Sequence, residues 1–228
     1  MREYLSPRLR CVANLVRQDA VLADVGTDHA YLPLFLLSVG HIDRAICSDI
    51  NEGPLCSARE NAREMGKSEN ITFLLTNGLT GIMAHSPTDI AICGMGGELI
   101  AEILRCAPEA HKEGLRFLLQ PMTRQEHLRA TLFSLGFGIV REEYVTEGDK
   151  TYLIIVAEYS GVTHPFTEAE CLLGTRAHSD APMTSAEKRY FQKKEKALLR
   201  RRDGRAKAGE GTEEEDLLLS YLTPYTKE

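Results

Sequence analysis

Long apolar runs are scarce in this chain. The longest near the N-terminus, residues 31–39, is far too short to cross a bilayer, so no membrane association is expected. Paired cysteines are missing as well. Cys11, Cys47, Cys56, Cys93, Cys106 and Cys171 form no CxxC pair and no zinc-finger spacing, so no metal site is expected. A disulfide framework does not suit a chain of this size, and the thiols favour a reducing compartment. Cys47 and Cys93 lie in apolar, strand-like runs, where a thiol acts as a small buried hydrophobe. No secretory leader is expected either, since Met1-Arg2-Glu3-Tyr4 runs straight into a helix start. The expectation is a soluble, cytoplasmic protein, with a monomer as the favoured state. No internal repeat is evident.

What is present is enough for a real core. Hydrophobic residues make up 43% of 228, which fits one α/β domain of roughly 150 to 200 residues plus a small appendage. The net charge of −6 argues by itself against a nucleic-acid partner, but the charge is unevenly spread. Residues 187–207 hold ten Lys/Arg against three Asp/Glu, a local excess of seven that leaves −13 on the rest. Such asymmetry fits a dedicated binding face, and equally a solvated helix face.

Ser6-Pro7 is a helix start, with Ser as cap and Pro in the first helical position. Apolar, partly β-branched runs at 21–25, 44–50, 71–76, 89–93 and 116–120 read as buried strands. Helical segments fall at 32–39, 54–65, 98–106 and 124–135, each run ending at or near a glycine or a turn. Two longer β runs, 137–146 and 151–159, flank a Glu-Gly-Asp turn and must be antiparallel. The expected fold is therefore α/β: a Rossmann-like, seven-stranded, mostly parallel sheet with a closing antiparallel hairpin. The character changes near Gly161, after which 167–177, 184–202 and 212–222 look helical, with breaks at Gly204 and at Gly209-Glu210-Gly211. Two domains are expected, 1–160 and 161–228, the second a small helical hairpin or short coiled coil.

In open α/β sheets ligands bind outside the carboxyl ends of the strands. Strand one ends in Asp24-Val25-Gly26-Thr27-Asp28-His29-Ala30-Tyr31. Gly26 lets backbone approach a ligand, but the three glycines of the dinucleotide fingerprint are missing. The competing reading is an ordinary strand-to-helix turn with Asp28 as helix cap. Strand two ends at Asp49, 25 residues beyond Asp24, where a carboxylate can accept from both hydroxyls of a ribose. The alternative is an acid capping the next helix. Strand three leads to Asn77-Gly78, an amide suited to an adenine edge and also a common turn pair. Strand four leads to Gly94-Met95-Gly96-Gly97, either a close approach to backbone or a glycine hinge. Strand five ends in Leu119-Gln120-Pro121, where Gln120 either lines the cleft or is a satisfied amide.

Taken together, the segments 24–33, 49–55, 77–79, 94–97 and 119–121, with the opening Leu-Ser-Pro-Arg-Leu at 5–9, resemble the bacterial tRNA (adenine-22)-N1-methyltransferases. The Asp-His-Ala-Tyr and Gly-Met-Gly-Gly pair is specific to that family. The resemblance runs over most of the first 160 residues, and the helical tail is similar in kind. Two features depart from the pattern: Met122 stands where Asn is expected, and residues 209–216 are glycine-containing and acidic. The Asn/Asp-Pro-Pro-aromatic segment of many amino-methyltransferases is absent from the end of strand four.

The resemblance implies methyl transfer from S-adenosylmethionine (SAM) to the N1 ring nitrogen of an adenine in tRNA. It implies a cofactor set of Asp24, Gly26, Asp49, Ile50, Asn77, Gly78 and Gly94, and a transfer pocket of Asp28, His29, Tyr31, Gly94 and Met95. Asp28 would face the cationic product or the amino group of the base. His29 would orient the base or be structural, and Tyr31 would stack on it or be a core aromatic. Lys188, Arg189, Lys193, Lys194, Arg200 and Arg201 would contact phosphates, with Arg2, Arg8, Arg10 and Arg17 extending that surface. Removing 165–228 would then weaken tRNA binding far more than SAM binding. Three rivals stand beside this reading: a nicotinamide-dependent oxidoreductase, a non-catalytic RNA-binding protein on a degenerate fold, and a methyltransferase acting on rRNA, protein or a small molecule.

Overall fold

The computed structural model describes residues 5–163 and 165–227. The lead-in 1–4, with Arg2, and His164 at the change of character lie outside the described residues. Ser6 caps α1 (Pro7–Ala13): its hydroxyl accepts from the Leu9 amide at 3.4 Å, and Pro7 sits where no amide hydrogen is needed. Five strands follow, β1 (Val21–Val25), β2 (Arg44–Asp49), β3 (Ile71–Leu75), β4 (Asp89–Met95) and β5 (Arg116–Pro121). Between them run α2 (Tyr31–Ser38), α3 (Glu52–Glu64) and α4 (Gly97–Arg105), with a 3-10 turn joining β3 to β4. After α5 (Gln125–Ser134), β6 (Phe137–Glu147) and β7 (Lys150–Tyr159) form a hairpin turned by Gly148 and Asp149.

The strands lie in the order β3-β2-β1-β4-β5-β7-β6. The first five are parallel, and β7 runs antiparallel to both β5 and β6. An inserted antiparallel strand distinguishes this sheet from the 3-2-1-4-5-6 order of dinucleotide-binding folds. Chain direction across the sheet reverses between β1 and β4, which opens the crevice at their carboxyl ends.

Alternate residues of each strand feed opposite cores, as a period of two requires. Leu22, Cys47, Ala91 and Leu118 face α1, α2 and α3. Ala23, Ile46, Ile92 and Phe117 face the other side, which α4 and α5 cover.

The C-terminal helices α6 (Glu168–Leu173), α7 (Ser185–Lys207) and α8 (Glu213–Thr226) lie on that second side. Their Leu172, Tyr190, Phe191 and Leu222 share one apolar cluster with Phe137, Leu153 and Ile155 of the hairpin. The sheet ends at Tyr159, close to the expected boundary, but no separate core begins there.

Two tail expectations are corrected. The helix expected over 167–177 stops at Leu173 and continues as a 3-10 turn, Gly174–His178. The cause is a fully buried ion pair, Arg129 Nε to Glu142 at 2.7 Å. Arg129 Nη1 also donates to the carbonyls of Cys171 and Leu172 at 2.8 and 3.2 Å, satisfying the end of α6. Gly174 has φ +61°, and a Cβ there would strike both Glu142 and Arg129. The break expected at Gly204 does not occur, since α7 passes through it to Lys207. A helical glycine costs about 1 kcal/mol, but Arg201 and Arg205, on either side of it, reach Glu214 and Glu215 of α8. The helix stops instead at Gly209, with φ +75°.

Candidate active site

The turn after β1 is built around two carbonyl bonds and one buried acid. Gly26 and Thr27 both donate their amides to the Ser48 carbonyl, at 2.8 and 2.9 Å, which ties the turn to the end of β2. Gly26 has φ +75°, a conformation in which a side chain is strained. Its face is covered by the flexible end of Met95, from β4. The Asp24 carboxyl is buried and accepts from the Thr27 hydroxyl at 2.6 Å. Burial pushes its pKa from 3.8 up to about 6, with the Thr27 bond working the other way.

Beyond Gly26 the turn faces outward. Asp28 does not cap α2. The cap is Ala30, in the left-handed region at φ 55°, and α2 has no side-chain cap. The Asp28 side chain is 77% exposed and lies 3.4 Å from His29 Nε2. Tyr31 is not a core aromatic either: it is 51% exposed and stacks on the His29 ring, with centroids 5.1 Å apart. Asn61 of α3 donates to the His29 carbonyl at 3.0 Å and holds the turn in place. Asp28, His29 and Tyr31 thus form one exposed group.

Asp49 ends β2 with its carboxylate accepting from the Asn51 amide at 2.8 Å. Its carbonyl accepts from Thr76, at the end of β3, at 2.9 Å. Asn51, not Asp49, occupies the cap position of α3. Asn77 and Gly78 follow β3, with Asn77 exposed and Gly78 at φ +56°. Ile50 and Leu75 are unusually exposed for their type, at 63% and 57%, and leave an apolar surface beside Asp49. The exposure of Leu75 has no signal in the local sequence, where a leucine ending a strand reads as core.

The glycines after β4 serve different ends. A Cβ on Gly97 would strike the carbonyls of Thr123 and Arg124, so that glycine serves packing against the β5–α5 loop. Gly94, at φ +79°, instead faces Arg8. Its amide donates to Gln120 Oε1 at 3.1 Å, and Arg8 Nη1 donates to the same oxygen at 2.8 Å. Gln120 is fully buried, a satisfied amide that joins α1 to the end of β4. Met122 accepts weakly from Gln120 Nε2 through its sulfur, at 3.4 Å.

The turn after β1 opens on a cleft of about 1140 Å³, whose lining includes Asp24, Gly26, Asp28, His29 and Tyr31 but not Asp49, Ile50, Asn77, Gly78, Gly94 or Met95. Its walls come from α1 (Ser6, Arg8, Leu9), the turn from Asp24 to Tyr31, Phe35 of α2, Asn61 of α3, Cys93 and Glu147. Burial raises the Cys93 thiol well above its ordinary value, so it stays protonated. Among the described residues no group of three or more His, Cys, Asp or Glu is placed to hold a metal, and no helix is long and apolar enough to cross a membrane.

The basic residues divide into two sets. Lys194 is buried against Glu126, with Gln125 Oε1 at 3.2 Å, and burial holds its pKa below the usual lysine value. Arg201 pairs with Glu215 at 2.6 Å and with Glu214 at 3.2 Å. Arg189 lies 3.5 Å from Asp149 at the hairpin tip. Lys188, Lys193 and Arg200 have no ion-pair partner among the described residues. Near the N-terminus, Arg10 stacks over Phe35, its guanidinium 4.6 Å from the ring centroid. Arg17 clamps Asp89, Thr88 and Gly114, at the opposite edge of the sheet, and is removed from any surface around the cleft.

Residues 5–155 match the family described as "Methyltransferase domain". A tRNA (adenine(22)-N(1))-methyltransferase of Bacillus subtilis (strain 168) is 35% identical over 154 residues, 68% of this chain. The match spans 65% of that relative's length. A Streptococcus agalactiae protein of the NADB-Rossmann superfamily superposes with a TM-score of 0.86 at 34% identity, over 98% of each chain. A candidate tRNA (m1A22) methyltransferase of Streptococcus pneumoniae, crystallised with S-adenosyl-L-methionine, gives a TM-score of 0.83 at 32% identity, over 98% of this chain and 100% of that one.

Proposed function

From the premise that this chain belongs to the methyltransferase-domain family, we propose that it transfers a methyl group from SAM to the N1 ring nitrogen of adenine 22 in tRNA, acting in the cytoplasm as a monomer. The observation that carries the reading is the single cleft in which the buried Asp24–Gly26 turn meets the exposed group of Asp28, His29 and Tyr31. The first half suits a cofactor and the second a flat base. The S. pneumoniae relative crystallised with SAM supports the cofactor, and the B. subtilis relative supports the substrate.

The residues fit SAM. Gly26 offers backbone with no side chain of its own, overlain by the flexible end of Met95, Asp49 offers a carboxylate for ribose hydroxyls, and Ile50 and Leu75 an apolar surface for a purine ring. Asn77 and Gly78 follow Leu75 in the chain; Asp24 lines the cleft, Met95 lies over Gly26, and Gly94 faces Arg8. When bound, SAM supplies a methyl group on a positively charged sulfur. The adenine N1 carries an in-plane lone pair and no proton, so the chain needs no strong base before attack. Its work is positioning, which is worth several orders of magnitude in rate. Tyr31, braced by the His29 ring, offers a stacking face to a base drawn out of the tRNA. Asp28 accepts from the adenine amino group and stabilises the positive charge that develops on the ring.

The basic helix reaches the carboxyl edge of the sheet, the edge on which the cleft opens, from the opposite face. α7 touches the hairpin tip at Asp149 and the start of α5 at Gln125 and Glu126, both at the carboxyl edge of the sheet. Lys188, Lys193 and Arg200 are the members of its set left to meet phosphates, with Arg189 weakly engaged.

The test is methylation of unmodified tRNA by the full chain with labelled SAM, followed by nucleoside analysis and mapping. N1-methyladenosine at position 22 is expected. Its absence from a chain that folds and binds SAM would remove the substrate assignment. In the same assay, Asp28→Ala should lose about 100-fold or more in kcat, with SAM affinity within twofold of wild type.

A further inference from the structure

We propose that the groove between α1 and α2 is a second nucleotide subsite, in which Phe35 and Arg10 hold the nucleotide next to the target adenosine in the tRNA. The proposal rests on the methyl-transfer reading and names how that substrate is gripped beyond its reacting base.

The cleft is larger than one reactant requires. At about 1140 Å³ it exceeds the roughly 300–1,000 Å³ usual for a site that holds one small ligand. Its lining runs past Tyr31 along α2 to Phe35, Ser38 and Val39, and across to Leu5 and Leu9 on the α1 side. None of these five residues has a part in the cofactor set or the methyl-transfer step.

Helix α2 explains why this extension is apolar. It carries no charged residue from Tyr31 to Ser38. A helix that is apolar on every side is normally buried on every side. Leu32, Leu34, Leu36 and Leu37 are buried. Tyr31, Phe35 and Val39, spaced four apart, form one stripe that stays open: Tyr31 and Val39 are exposed and Phe35 is half-buried. Arg10 is laid against this stripe, its guanidinium 4.6 Å from the Phe35 ring centroid. That side chain makes no hydrogen bond or ion pair among the described residues, so its N–H groups are free for a phosphate.

Aromatic faces beside an unengaged cation are the chemistry that binds single-stranded nucleic acid: the rings take bases and the cation takes the backbone. Tyr31 and Phe35 are one helical turn apart, about 6 Å along the axis and nearly twice the roughly 3.4 Å between stacked bases. A base on Phe35 is therefore unstacked from a target base on Tyr31, as extrusion of the target demands. Because α1 and α2 cover the opposite face of the sheet from α7, the RNA is held from both sides of the carboxyl edge.

The test uses the full chain with Phe35→Leu, which stays apolar but removes the ring, and Arg10→Gln, which removes the charge. Thermal unfolding and calorimetry with S-adenosylhomocysteine check fold and cofactor site, and both variants should bind within twofold of wild type. Steady-state kinetics measures KM for unmodified tRNA, and for the same tRNA with an abasic nucleotide immediately before or immediately after the target adenosine. Phe35→Leu should raise KM by about fivefold or more. One of the two abasic RNAs should cost wild type a similar factor and cost Phe35→Leu nothing further, because lost base and lost ring report one contact. Arg10→Gln should lower the slope of log tRNA affinity against log salt by about 0.7. Arg10→Gln and the abasic RNAs with wild type decide the question even if the Phe35 variant fails to fold. Additive effects of ring and base, or KM values within twofold of wild type for both variants, overturn the subsite. So does an equal loss of S-adenosylhomocysteine affinity, which would give the groove to the cofactor. A wild-type dimer in sedimentation that Phe35→Leu dissociates would give it to a second copy of the chain, and also overturns it. Failure of the methyl-transfer reading is distinct: the wild-type chain itself would leave adenine 22 unmethylated, and the subsite would fall with it.

Discussion

Asp24 is a carboxyl group placed where its charge is unwelcome. Burial raises its pKa from 3.8 to about 6, so the native state holds a proton that the unfolded chain releases. The stability this proton gives is full below about pH 4 and is lost as the pH rises through 6. Above that, the buried carboxylate costs about 3 kcal/mol. Asp24→Asn should therefore melt several degrees higher than wild type at pH 8 and at the same temperature near pH 4. A variant no more stable at pH 8 would contradict the desolvation account. The same variant should bind S-adenosylhomocysteine more weakly, because a cost kept in the fold at a ligand site serves the ligand. Asp28, four residues on, has the opposite setting: exposed, capping nothing, and free to meet a base. Residue type alone did not separate these two acids. Both stood in one motif, and the choice between cap and site for Asp28 depended on where α2 begins.

At the scale of elements, the strands and the helices around them were legible because their signals are local. Short β-branched runs ending in turn residues mark buried strands, and each was found within two residues of its expected bounds. Helix α7 was harder to read. Gly204 is a sound local reason to stop a helix, but the ion pairs of Arg201 and Arg205 with α8 outweigh it. The same pairing engages Arg201 with α8, and Glu126 engages Lys194, so both would have to share their charge to meet RNA. The phosphate binding should therefore come from the unpaired cations. Changing Lys188, Lys193 and Arg200 together to Glu should lower tRNA affinity sharply and leave S-adenosylhomocysteine affinity unaltered. The slope of log affinity against log salt should shrink by about 0.7 to 0.9 for each phosphate no longer neutralised. An unchanged slope would show that α7 does not bind the RNA backbone.

The whole molecule combines an acidic body with a basic helix, and joins them through one core. Tyr190 and Phe191 of α7 and Leu222 of α8 pack with Leu153 and Ile155 of β7. The buried Arg129–Glu142 pair ties α5 and β6 to the end of α6. Removing either member would strand a buried charge at a cost of about 3–5 kcal/mol. Deleting 165–228, expected to weaken tRNA binding far more than SAM binding, would also open the second face of the sheet and should lower stability. The chain should unfold in a single transition, with far-ultraviolet dichroism and the emission of its eight tyrosines, spread over sheet and tail, coincident in midpoint. Phe191→Ala should lower both midpoints together. Separate transitions for tail and sheet would contradict the shared core.

The sequence by itself determined the order of elements, the closing hairpin and the strand-end positions Asp24, Gly26, Asp49 and Gly94. These depend on periodicity, turn residues and the rule that parallel sheets bind ligands at their carboxyl edge, all of which act over a few residues. Only the tertiary structure decided which charges are spent and which are free. Arg8 meets Gln120 across 112 positions of sequence, Lys194 meets Glu126 across 68, and Arg17 meets Asp89 at the far edge of the sheet. A side chain's charge is written in the sequence, but its partner is chosen by packing, and packing joins residues that no local pattern connects.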